Sequence, residues 1–422
     1  MSYDHFVLSL CDKYSSSCQG AALIELANTS YLALVHVCYY DCTLTLLIAR
    51  RTICMMQDIR IERWAHTLVH YSLYIKARET VAIHATPLAA PLVEAVYREI
   101  LRVGAHPLPL IDLESLEEIL LREGNEQQLT KKSPVLTAVA AYCDARLFIA
   151  SRSNTKALSG VKPEQVSRRR SALREISEVA RKREQAGTFR WSSTLYPTSG
   201  YAQDAEMSLH DYEEFVFDVC FLNDPDPIAR WNELSTQQQR LVDWLVGKKE
   251  VRIQGDGTDL TLSIENRTFI NSNGKRNFPS GEFFTGPVED SANGVIQFDI
   301  PASYDGRTIE GVRLVFREGK VVEASARQGQ AYLEHMLEID AGARYLGEFA
   351  FGNNARVDRS TKNVLFDEKM GGTVHLALGA SYPETGGVNQ SALHWDMVCD
   401  LRQKGEVRVD DVLFLKEGKI VV

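Results

Sequence analysis

Between about residues 58 and 230 the apolar positions alternate between two periods. The stretch "MQDIRIERWAHTLVHYSLYIKARETVAIHA", beginning at Met56, opens at helical spacing and runs into a short β-branched segment. "ETVAIHA" predicts a buried strand, "PLVEAVYREILRVGA" a helix with glycine near its end, and "HPLPLIDL" an extended segment. "ESLEEILLREG" follows as a helix with early acids and a glycine stop, and "DARLFIASR" as another buried strand. Strands alternating with helices predict parallel βαβ units and an open sheet. No GxGxxG follows the first strand, so the sheet by itself implies no dinucleotide. "VSRRRSALREISEVARKREQAG" interleaves acids with its bases, which predicts a solvated or interdomain helix rather than a nucleic-acid patch.

After "LSTQQQRLVDWLVGKKE" the pattern changes to short alternating runs broken by Gly, Asp and Asn, as in "VRIQGDGTDLTLSI" and "GTVHLALGASYPETGG". The expected class is therefore α/β. An N-terminal open α/β sheet domain over 56–234 would precede a β-rich (α+β) domain over 235–422, the latter with one helix near "GQAYLEHMLEIDAGARYLG".

The first 55 residues follow neither pattern. "AALIELANTSYLALVHVCYYDCTLTLLIA" has the length of a membrane helix, but Glu25, His36 and Asp41 interrupt it. It also lacks the basic start and the cleavage site of a signal peptide. The expectation is that the chain proper begins at Met55 or Met56, with 1–55 a misassigned extension outside the fold and no membrane span.

Composition changes this picture little. Of 422 residues, 45% are hydrophobic, enough for two packed domains. A formal net charge of -9 argues against nucleic acid as the partner, because phosphate binding needs a basic face. No CxxC pair occurs, and Cys143, Cys220 and Cys399 read as reduced core cysteines of a cytoplasmic protein.

Candidate chemistry gathers in the second half, in four segments that set a carboxylate or imidazole beside glycine or proline. "NFPSGEFFTGP" holds Glu282 and "YLGEFAFG" holds Glu348. "LFDEKMGGTVHLALGASYPETGG" holds Glu368, His375 and Tyr382, and "SALHWDMVCD" holds His394 and Asp396. A carboxylate inside an apolar strand is costly unless paired or hydrogen-bonded. Residues two apart on a strand point to the same side, so His394 and Asp396 could reach one centre while Trp395 packs behind. Three carboxylates and two imidazoles make a mixed N/O set suited to zinc, cobalt or manganese, and more than one catalytic ion usually takes. Taken singly, each residue has a plainer reading: an exposed or Arg-paired Glu, a satisfied core His, a turn tyrosine, or an HxD that locks strand register.

Together, "NFPSGEFFTGP", "GGTVHLALGASYPETGG" and "NQSALHWDMV" resemble the signature segments of the thermophilic aminopeptidase family, peptidase family M29 (aminopeptidases T and S and PepS). "TLYPTSGYAQDAEMSLHDYEEFVFDVC" resembles a further stretch of that family, and the resemblance covers about residues 58–422. It implies a homodimeric metallo-aminopeptidase that uses two divalent ions (Zn, Co or Mn, with Mg a further choice) on peptides with a free N-terminus. By motif, Glu282, Glu348, Glu368, His375, His394 and Asp396 would be metal ligands, Glu282 and Glu348 also catalytic carboxylates, and Tyr382 the active-site tyrosine. The short connection between His375 and His394 departs from relatives in which the two are far apart, which implies a differently shaped substrate pocket. The competing readings are another di-metal hydrolase, such as a phosphoesterase, and an inactive binding or scaffold relative. The first would want basic residues by the site, which the four segments almost lack; the second would want a lost ligand.

Overall fold

The computed structural model describes residues 58–422 except residue 305; the expectations for residues 1–55 lie outside the described residues. Ile59–Val422 forms one compact unit.

Three predicted strands, joined by Arg190–Leu195 and Asn277–Phe278, build a parallel sheet. Its order is His106–Ile111, Thr80–Ala85, Ala145–Ala150, Arg190–Leu195 and Asn277–Phe278. The in-phase pairs Val81↔Ala145 and Leu147↔Ser192 set its register. The helix Ala90–Val103 between the first two strands ends where Gly104 turns left-handed at φ 81, as the glycine stop predicts. The long helix Pro163–Gln185 buries none of its residues, in keeping with its polar pattern. The α/β expectation is borne out.

Two antiparallel sheets follow. One has eight strands, from Lys320–Ser325 at one edge to Lys419–Ile420 at the other. The other has five, in the order His394–Asp400, Thr373–Gly379, Leu346–Gly352, Glu282–Thr285 and Ile270–Ser272. Side chains from both sheets, among them Leu260, Phe298 and Phe414 from the first and Phe283, Phe349 and Leu376 from the second, share one apolar core. The helix near "GQAYLEHM" is only Gln330–Met336. Beyond its end, the Asp340 carboxylate accepts from Gly342, Ser391 and Ala392.

The two halves of the chain interlock. Residue 234 lies in the middle of one helix, Pro227–Leu245. Trp231 and Leu234 of that helix pack in the first core, and Val242 and Leu245 in the second. The last strand of the parallel sheet comes from the second half, and Phe278 on it is buried in the first core. Tyr71 Oη and Ser72 Oγ donate to the carbonyls of Asn273 and Gly274, at 2.8 and 2.7 Å. Cys143, Cys220 and Cys399 are free and buried. No helix among the described residues is long and apolar enough to cross a membrane.

Candidate metal centre

Strand alternation builds the site. In the five-stranded sheet Phe283, Phe349, Phe351, Val374, Leu376, Leu378, Trp395 and Met397 point into the shared core. The residues between them therefore point to the opposite face, and these include Glu282, Glu348, His375, His394 and Asp396. Register then sets their neighbours. Ala377 lies between Glu348 and Asp396, Ala350 is opposite His375, Gly352 is opposite Glu282, and Gly379 is opposite His394. Each functional side chain thus has a small residue beside it, so the long side chains can lean together over a floor of alanine and glycine. The motifs "LGEFAFG" and "TVHLALG" are that arrangement written in sequence.

The six predicted carboxylates and imidazoles come together. His375 Nε2 stands 3.4 Å from Glu282 Oε2 and 3.4 Å from Glu348 Oε1. His394 Nε2 stands 3.3 Å from Glu348 Oε2 and 3.6 Å from Asp396 Oδ2. Two sets of donor atoms, Glu282/Glu368/His375 and Glu348/His375/Asp396, each lie within 4.8 Å of one another and share His375. Glu282, Glu348, Glu368 and His375 are buried, whereas His394 and Asp396 border solvent. Trp395 is buried behind them against Tyr304 and Tyr332, as its position between His394 and Asp396 predicts. The ring of Tyr382 meets the His394 ring edge-on at 5.1 Å.

Lys369 has no place among the predicted site residues. Its side chain is fully buried, and its ammonium donates to Glu282 Oε1 at 2.7 Å and also to Glu368. One oxygen of Glu282 is thereby occupied, and the other, Oε2, is buried with no hydrogen-bond partner. The only sequence signal was "DEK", which reads more naturally as a solvated charge run.

Electrostatics follow from crowding like charges in a dry place. Burial works against the charge on Glu348, but the imidazoles of His375 and His394 close beside it outweigh it and hold its pKa at about 2. Burial also opposes protonation of His375, yet the neighbouring carboxylates of Glu348 and Glu282 raise it to about 9. For His394, burial is likewise overcome, by Asp396 and Glu348, to about 10. Burial pushes Glu368 up to about 8, with Lys369 pulling the other way. Desolvation of the hydroxyl, then the negative charge of Glu348 and Asp396, pushes Tyr382 well above a free phenol.

Does this donor set fit metal ions? Two ligands on one tetrahedral ion, each about 2.1 Å from it, stand about 3.4 Å apart, and the strand residues are spaced at 3.3–3.6 Å. Both ring nitrogens of His375, Glu282 Oε2 and Asp396 Oδ1 are buried without a hydrogen-bond partner, which native proteins rarely tolerate. With both imidazoles neutral, the form that ligates metal, four carboxylates face one ammonium, a negative balance that divalent ions would offset. His394 Nδ1 donates to the Ala380 carbonyl at 2.8 Å, which turns Nε2 toward the carboxylates as a donor atom for a cation. The residues fit divalent ions.

Comparison with known proteins agrees with this chemistry. The family model described as "Thermophilic metalloprotease (M29)" matches residues 57–418. The chain belongs to that family. Relatives within it include "Aminopeptidase 2" of Geobacillus stearothermophilus, 29% identical over 85% of this chain and 95% of its own. "Aminopeptidase PepS" of Streptococcus thermophilus is 26% identical over 81% of this chain and 92% of its own. The solved structure "Wild-type AmpT from Thermus thermophilus" superposes with a TM-score of 0.76 at 24% identity, covering 86% of this chain and 99% of that one, and thus shares the fold.

Proposed function

We propose that the protein is a metal-dependent aminopeptidase that removes the first residue of peptides with the help of two divalent ions. The observation that carries this reading is the pair of donor sets sharing His375, in a member of a metalloprotease family. Its curated relatives named as aminopeptidases cover nearly their whole length in the match. Glu282, Glu368 and His375 would hold one ion, and Glu348, His394 and Asp396 the other, with Glu348 and His375 close to both. Zinc, cobalt and manganese suit these donors, and magnesium is a poorer match to imidazole. When bound, such ions acidify a water and polarise a carbonyl.

The chain's own residues do the rest. A carboxylate of the cluster, Glu282 or Glu348, takes the proton of the attacking water and returns it to the departing amine. Tyr382, at the rim beside His394, donates its hydroxyl to the oxygen on which charge develops. The surplus of carboxylate also attracts a protonated α-amino group, which confines cleavage to the first residue. The floor of small residues keeps the six ligands from rearranging as charge moves. The proposal extends to a cytoplasmic homodimer, which light scattering would check.

The deciding experiment is hydrolysis of leucyl-, arginyl- and other aminoacyl-p-nitroanilides by chelator-stripped protein reloaded with zinc, cobalt or manganese. Metal-restored release of nitroaniline is expected. Inactivity with every metal would overturn the reading.

A further inference from the structure

A cavity of ≈ 820 Å³ opens beside Tyr382, within the size range of sites that hold small organic ligands. Its lining includes Tyr382, Pro383 and Glu384, together with Arg146 and Trp191, neighbours on the parallel sheet. Much of the remaining lining is apolar, including Val139 and Phe189.

The cations of this cavity differ in one respect. Arg276 is committed to two acids, Glu184 at 2.8 Å and Glu384 at 3.1 Å, which are also the acids of the lining. Arg181 lies on the exposed face of its helix. Arg146 lies half-buried on the strand Ala145–Ala150, with its Nε shut off from water and unbonded. No carboxylate among the described residues pairs with it. Burial alone weakens its hold on its proton, with nothing opposing. A guanidinium partly withdrawn from water and without an acidic partner gains from an anion brought to it, which restores interactions that burial removed. Its planar fork suits a carboxylate, which it can grip through two parallel hydrogen bonds.

We infer that this cavity is a carboxylate-binding subsite anchored by Arg146, and that it takes the free C-terminus of a short peptide whose first residue lies at the metal centre. The inference rests on the aminopeptidase reading. Tyr382, whose ring meets His394, and Arg146 line the same cavity, so only a chain of fitting length that starts at the centre would bring its end to Arg146. Peptides of the fitting length present their carboxylate to Arg146; longer ones carry it past, and amides carry none.

The test is a series of di- to hexapeptides sharing one first residue, each as free acid and as C-terminal amide, with metal-loaded wild type, Arg146→Met and Arg146→Lys. At one length the wild type should favour acid over amide by about tenfold or more in kcat/KM, mainly through KM. Arg146→Met should bring that ratio to one, with its melting temperature at or above that of the wild type; Arg146→Lys should restore part of the ratio. Equal cleavage of acid and amide at every length, or an equal loss on both in Arg146→Met, would overturn the subsite. An acidic side chain as the true ligand would appear as a preference that follows Asp or Glu within the peptide rather than its end, and would also overturn it. A leucyl-p-nitroanilide assay runs alongside, because it has no carboxylate to present: inactivity there condemns the aminopeptidase reading. In that event calorimetry of acid and amide peptides still decides whether the cavity selects carboxylates.

Discussion

Lys369 sets the charge balance of the centre. Its ammonium is out of contact with water and bound to Glu282 and Glu368. Removing one partner of a buried ion pair costs about 3–5 kcal/mol because the other charge is stranded. Lys369→Met should therefore lower stability by about that amount in chelator, and by clearly less with divalent ions present, which would neutralise the same carboxylates. Paired thermal melts with and without metal check this, and equal losses would contradict it. Glu348 lies between both imidazoles. Glu348→Gln should reduce kcat/KM and metal affinity by more than about 100-fold, since even residues that only support a ligand cost 10–100-fold. Metal titration followed by nitroanilide assays would show it. Five of the strand-borne candidates could be read from sequence because each is a polar residue interrupting an apolar alternation. Lys369 could not, because a lysine following Asp-Glu normally lies in water; only the return of its chain segment beneath Glu282 makes it an interior cation. Arg146 was hidden differently, inside a stretch that reads simply as a buried strand.

At the scale of elements, the turn before Glu282 carries strict backbone requirements. Gly281 has φ +113, and a Cβ there would come 2.7 Å from the Cβ of Asn354. Asn354 is itself fixed, donating to the carbonyls of Val219 and Ser280 at 3.0 and 3.1 Å. Gly281→Ala should cost about 1–3 kcal/mol in strain and contact. It should also lower activity more than stability alone explains, because Glu282 is the next residue; denaturant midpoints and kcat/KM measured together would separate the two effects. The strands and helices of the first half were legible because period and punctuation agreed at both ends, as with Gly104. The helix Gln330–Met336 lies in the segment where one was expected, and it ends before Asp340, which accepts from Ser391 and Ala392, a contact 51 residues away that no local pattern reveals.

For the molecule as a whole, acid stability should depend on a group far from the centre in sequence. Glu99, on the helix Ala90–Val103, is bonded by Arg102, His70 and His66. Burial raises its pKa, but these bonds outweigh it and bring the carboxyl from 4.5 to about 2. A carboxylate depressed in the folded state contributes stability above its ordinary pKa and loses it as pH falls toward the folded value. The stability difference between wild type and Glu99→Gln should thus be level from neutrality down to about 4.5 and vanish near 2. Urea midpoints across that range measure it; a difference that persisted at the acid end would contradict the assignment. Sequence texture separated an alternating half from a strand-rich half, but not the way they interlock. The exchange of one short strand leaves no mark on hydrophobic period, since Asn277–Phe278 is two residues long.

That two-residue strand also limits how substrate can enter. A clamshell enzyme opens by swinging two lobes about a single hinge. Here the chain passes from one core to the other along Pro227–Leu245 and returns through Asn277–Phe278 into the edge of the parallel sheet. With Val357, Phe366 and Met370 also packed in the first core, a lobe stitched at three places cannot gape without breaking backbone hydrogen bonds and pulling Phe278 from its socket. Such a fold leaves admission to the centre to loops and side chains at its rim, where Tyr382 stands beside His394.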